Sequence, residues 1–135
     1  MGTLLAPVPE MSPPDDSPQA VTLQGAEIDA CLEPLMASLV ADDDALAELR
    51  WIDFEAAVLA HFDAEEHLLF PSLLAKGNRA VRVFVEEHRH LRARLAELRH
   101  AANMQSLRIP AVRAFIDSLN AHARHEERAL GIDHA

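Results

Sequence analysis

An all-α fold, an up-down-up-down antiparallel four-helix bundle, is what this sequence predicts, and three features carry the prediction. Apolar residues recur at three- and four-residue steps in four separate stretches, each long enough to be a helix. The connections between these stretches are short and marked by Gly, Pro, Asp or Asn, and short connections force neighbouring helices antiparallel. Only 4% of the 135 residues are aromatic, Tyr is absent and Gly occurs 4 times, which disfavours an all-β fold.

Residues 1–20 hold Pro7, Pro9, Pro13, Pro14 and Pro18 among small and acidic residues. Such a segment neither propagates a helix nor buries enough surface to offset ordering, so a disordered or extended tail is expected ahead of a bundle over residues 21–131. Thr22 is the expected N-cap of the first helix, whose stripe is Ile28, Cys31, Leu32, Leu35 and Leu39. Pro34 interrupts this stripe and should kink it or remove one backbone hydrogen bond. Asp42, Asp43 and Asp44 read as a turn plus the N-cap of helix two, where the helix dipole favours acids.

Helix two is expected over residues 45–74, with Leu49, Ile52, Val58, Phe62, Leu69 and Leu73 inward and Trp51 and Phe54 as larger fillers. Pro71 should bend or interrupt its last turns. Gly77 and Asn78 supply the break, since both residue types tolerate left-handed backbone. Helix three takes Val81, Phe84, Val85, Leu91, Leu95 and Leu98 and fades near Asn103. Pro110 suits the first turn of helix four, Val112, Phe115, Ile116 and Leu119 form its stripe, and Gly131 ends it.

Composition excludes several classes of partner. A formal net charge of −10 leaves no basic face for nucleic acid or an anionic membrane. Cys31 is the single cysteine, so no intrachain disulfide forms and an oxidising compartment is not implied. The start MGTLLAPVPEM lacks a basic region and a long apolar run, and nowhere do about 18 apolar residues run uninterrupted. A cytoplasmic protein is the expectation.

Chemistry concentrates in three stretches. His61 and Glu65 are four residues apart, hence about 40° apart around a helix and roughly 6 Å along it, so both reach one metal centre. His122 and Glu126 repeat the pair, and His88 opens an apolar stripe between them. With the second turn centred near Gly77, Glu65 and His88 fall at one height, and helix four returns His122 and Glu126 to a similar depth. Burying this set without a cation would leave polar groups unpaired at a cost of several kcal/mol, roughly. Imidazole and carboxylate donors without thiolate suit iron or manganese, with zinc a further candidate. His67, His90, His100 and His134 read as surface histidines, and Glu66 and Glu127 as solvated partners of neighbouring arginines. His125, one turn beyond His122, sits where it reaches the site's edge.

The stretches HFDAEEHLLFP, VEEHRHLRARLAEL and HARHEERAL resemble the helix-two, helix-three and helix-four motifs of hemerythrin-like (HHE cation-binding) domains, over roughly residues 21–130. The resemblance implies four antiparallel helices around a non-haem centre of two iron ions bridged by carboxylates. It implies His61, His88 and His122 as terminal imidazole ligands, with Glu65 and Glu126 bridging. The family pattern also has a helix-one histidine, and aligning VTLQGAEIDACLEPL through Ile28, Leu32 and Leu35 puts Gly25 in that slot. Either a position stays open to water, dioxygen, nitric oxide or peroxide, or Gln24, Glu27 or Cys31 substitutes, or one metal is held weakly. The expected function is a metal protein that binds or reacts with such a small molecule, the alternative being a metal-binding sensor or iron store without redox turnover.

Overall fold

The computed structural model describes residues 18–131, with side chains from residue 25 onward. The tail expected ahead of these, and His134, lie outside the described residues. Helix α1 spans Pro18–Val40, α2 Asp44–Ala64, α3 Phe70–Ala75, α4 Val81–Asn103 and α5 Ile109–Leu130, and no strand occurs among the described residues. A π-helical turn, Glu65–Leu69, joins α2 to α3, so the chain forms four rods and the bundle the sequence predicts.

The first helix begins at Pro18, ahead of the Thr22 cap expected from sequence. A proline at the first helical position has its φ preset and lacks only an N–H that the first turn leaves unbonded anyway. Helix α1 continues through Pro34, which sits on its exposed side together with Ala30, whose carbonyl loses its helical donor to solvent. The acidic turn behaves as its sequence suggests. Asp42 adopts a left-handed φ of 57°, and the Asp43 carboxylate accepts the Leu46 N–H at 3.1 Å as the N-cap of α2.

On α2 the interior line is Ala47, Trp51, Phe54 and Val58, stepping by four, three and four. Leu49 and Ile52, expected inward, are 62% and 59% exposed. Each lies one or two residues off that line, which turns it about 100° or 200° away. Val85 on α4 is likewise on the outside, beside Phe84, which takes the buried position.

Pro71 acts as the sequence suggests, and its effect is specific. Proline lacks an N–H and crowds the carbonyl one turn earlier, so the preceding turn widens and Phe70 N–H bonds back five residues to the Glu65 carbonyl. The α3–α4 connection turns at Gly77, φ 75°. Asn78 contributes through its side chain rather than a left-handed backbone: its Oδ1 accepts from Ala80 N–H at 2.9 Å and its Nδ2 donates to the Ala129 carbonyl at 3.3 Å. That bond ties the turn to the end of α5, where Gly131 closes the helix at φ 76°.

The apolar interior falls into two blocks. The larger is built around Trp51, Phe54, Phe62, Leu95 and Phe115, and the smaller from Leu69, Phe70, Leu73, Val81 and Phe84. His88 stacks on Phe62 with ring centroids 4.3 Å apart and lies 5.0 Å from Phe70, so the polar site occupies the seam between the blocks. No helix among the described residues is long and apolar enough to cross a membrane.

Candidate metal centre

Four side chains converge in the seam: Glu65 from the π turn, His88 from α4, and His122 and Glu126 from α5. All four are buried, and one donor atom from each lies within 4.8 Å of the others. His88 Nε2 is 2.7 Å from Glu65 Oε1 and 3.0 Å from His122 Nε2, and His122 Nε2 is 2.7 Å from Glu126 Oε2. His61, also buried, brings its Nε2 to 2.9 Å from the other Glu65 oxygen, Oε2. Glu65 thus stands between His61 on one side and the His88–His122 pair on the other.

The expected substitutes lie elsewhere. Glu27 is exposed, and the side chain of Gln24 falls outside the described residues. Cys31 packs against the larger apolar block, where burial, then Asp53 and Glu27, push its thiol above the usual range. His125 donates to Glu87 at 2.9 Å rather than reaching the cluster. His67, His90 and His100 are exposed.

Two outer carboxylates orient the imidazoles, and sequence reasoning passed over their role. Glu66 does pair with arginine, accepting from Arg92 at 2.5 Å, but it also accepts from His88 Nδ1 at 2.6 Å. Glu87 accepts from His122 Nδ1 at 2.6 Å. Carboxylates only accept, so each Nδ1 carries its hydrogen and each Nε2 is aimed at the cluster, where it becomes a lone-pair donor once a metal displaces its own hydrogen. The available signal was a carboxylate immediately after Glu65 and another immediately before His88. His61 lacks such a brace: its Nδ1 is buried without a hydrogen-bond partner among the described residues.

The electrostatics are strained without a cation. Burial pushes the Glu65 carboxyl up, but hydrogen bonds from His122, His61 and His88 outweigh it and hold the group well below the usual carboxylate range. Burial, with the neighbouring Glu65 charge, pushes Glu126 up. Burial lowers His88 and His122, yet hydrogen bonds to Glu126 and Glu65 win and raise them to about 9 and about 10. Two Nε2 atoms 3.0 Å apart cannot both point a hydrogen into the gap between them. Glu65 Oε2 and Glu126 Oε2 are buried in ion pairs with His61 at 2.9 Å and His122 at 2.7 Å but make no aligned hydrogen bond among the described residues. A multivalent cation among these atoms removes both conflicts, so the donor set fits a metal.

Beside the cluster, a cavity of about 340 Å³ is bounded by Gly25 and Ile28 on α1, His61 and Glu65, and Leu119 and Glu126 on α5. A Cβ at Gly25 would meet nothing within 4 Å.

The family model described as the hemerythrin HHE cation binding domain matches residues 22–131. The chain belongs to the hemerythrin HHE cation-binding domain family. No curated protein and no solved structure matches it. In a member of the hemerythrin HHE family, a buried cluster of two imidazoles and two carboxylates points to metal binding.

Proposed function

We propose that this hemerythrin-like chain is a non-haem iron protein, holding two ions, that binds or reacts with a small molecule such as dioxygen, peroxide or nitric oxide. The observation that carries the reading is the convergence of buried imidazole and carboxylate donors from three helical segments on one point beside a cavity. In this reading His61, His88 and His122 are terminal imidazole ligands, and Glu65 and Glu126 span the two ions. Glu65 is suited to spanning, since one oxygen faces His88 and the other faces His61.

Bound iron would supply electron transfer to the small molecule. The chain's own residues do the rest. Phe62, Phe70 and Phe84 pack around the His88 and His122 rings and keep bulk water from that side. Glu66 and Glu87 hold the imidazoles in one tautomer and one orientation. The cavity under Gly25 gives the incoming molecule its approach. Manganese or zinc satisfies the same donors, but only a redox-active ion supports turnover.

The test is metal analysis of the purified chain with an absorption spectrum before and after peroxide. Stoichiometric iron with charge-transfer bands that respond to peroxide or oxygen is the expected result. Iron bound with an unresponsive spectrum would mark a store or sensor instead.

A further inference from the structure

The donors are distributed unequally around Glu65. On one side His88 and His122 approach together, and each is braced through Nδ1 by an outer carboxylate at 2.6 Å. Such bracing makes an imidazole a better metal donor. On the other side His61 is the one imidazole that touches Glu65, and its Nδ1 has no acceptor among the described residues. Across from it, α1 presents Gly25, whose missing side chain leaves open space. The adjoining cavity of about 340 Å³ has room for on the order of ten waters, far more than a diatomic molecule needs. Apart from the ligands themselves, its wall carries the acids Asp29 and Glu127, and no Lys or Arg lines it among the described residues.

Resting on the reading of the cluster as a metal centre, we propose that the cation position beside His61 is the weaker of two, and that its coordination is completed by an uncharged, imidazole-sized nitrogen or oxygen donor entering the Gly25 cavity. The acidic wall repels anionic donors, whereas an uncharged heterocycle or organic hydroperoxide meets no such barrier. The cavity volume admits a ring where a diatomic would leave most of the space to water. The substrate class of the site is thereby widened from diatomics to small uncharged organic donors.

Cobalt(II), whose visible absorption reports its coordination, is the probe. The full chain is equilibrated with cobalt, dialysed with or without imidazole or acetate, and its metal content measured. Wild type should retain about one equivalent alone and approach about two with imidazole, by mass action on the incomplete position. Acetate should produce no such gain, and the cobalt band should shift only with imidazole. Gly25→His should retain both ions without imidazole and ignore its addition. Gly25→Ala, which restores helix propensity but adds no donor, should behave as wild type.

Two equally retained ions in wild type, no gain with imidazole, or an equal gain with acetate would each overturn the proposal, and these wild-type arms suffice if Gly25→His does not fold. A folded wild type that retains no cobalt would remove the metal-centre reading itself. A single ion unaffected by imidazole would remove only the second position.

Discussion

Glu126→Leu should make the metal-free protein more stable while abolishing its stabilisation by metal. Glu126 is 4% exposed, burial and the neighbouring Glu65 charge push its carboxyl up, and its Oε2 makes no aligned hydrogen bond among the described residues. A buried polar atom left unsatisfied costs about 1–3 kcal/mol, and exchanging buried ionic groups for apolar ones of similar volume is often favourable by a comparable amount. The replacement removes the 2.7 Å pair with His122, but that imidazole keeps Glu87 at 2.6 Å and Glu65 at 3.4 Å, and His88 keeps Glu65 at 2.7 Å. In chelator the variant should therefore exceed wild type by about 1–3 kcal/mol, or roughly 4–12 °C in melting temperature for a domain of this size. With metal at about 100 times its dissociation constant, wild type should gain about 2.7 kcal/mol and the variant almost none. Thermal melts followed by circular dichroism, in chelator and in excess metal, read both effects. A variant that melts below wild type in chelator would refute the view that this carboxylate sits where it does for a cation.

Other perturbations separate the metal site from its supports. His61→Ala should keep the first equivalent of metal but lose the second that wild type gains with imidazole, measured by elemental analysis, because it removes the imidazole on the Gly25 side of Glu65. Glu66→Gln and Glu87→Gln keep an acceptor for the imidazole Nδ1 but lose the charge, and should weaken metal binding about tenfold or more in calorimetric titration. In the metal-free protein His88 and His122 are raised to about 9 and about 10, so their contribution to stability is complete below an imidazole's ordinary value and is lost as pH rises through those two. A metal must displace the hydrogens they carry, so affinity should climb between about pH 7 and pH 9 with release of about one to two protons, detected by calorimetry in buffers of different ionisation enthalpy. Glu55→Ala should destabilise by about 1–3 kcal/mol without changing metal content, since it strands Trp51 Nε1, now bonded to Glu55 at 3.0 Å, and the partner Arg99.

What the sequence revealed and what it hid divide along one physical line. Spacing along the chain is preserved in a helix, so the His-x-x-x-Glu pairs and the common depth of Glu65, His88, His122 and Glu126 were legible before any coordinates. Local chemistry was legible too: Asp43 as a cap, Gly77 and Gly131 as terminators, Pro71 as an interruption. Rotation of a helix about its own axis is a tertiary property. A stretch such as LAELRWIDFEAAVL contains two plausible apolar lines, and packing chose Trp51, Phe54 and Val58 over Leu49 and Ile52. The outer carboxylates were hidden for the same reason. Glu66 and Glu87 look like solvated acids until α2 and α4 are docked and bring Glu66 to the back of His88.

The π turn at Glu65–Leu69 has a consequence for any attempt to transplant the site. It is a surplus residue carried within a rod that is otherwise regular on both sides. Copying the histidines and glutamates onto an idealised straight helix would keep Glu65 in place but turn Leu69, Phe70 and Leu73, and with them the floor under His88, about 100° out of phase. A working graft needs the extra residue and its proline as much as the ligands. Conversely, deleting His67 or Leu68 removes the surplus residue and should let the rod run as a regular α-helix with Leu69, Phe70 and Leu73 still facing inward.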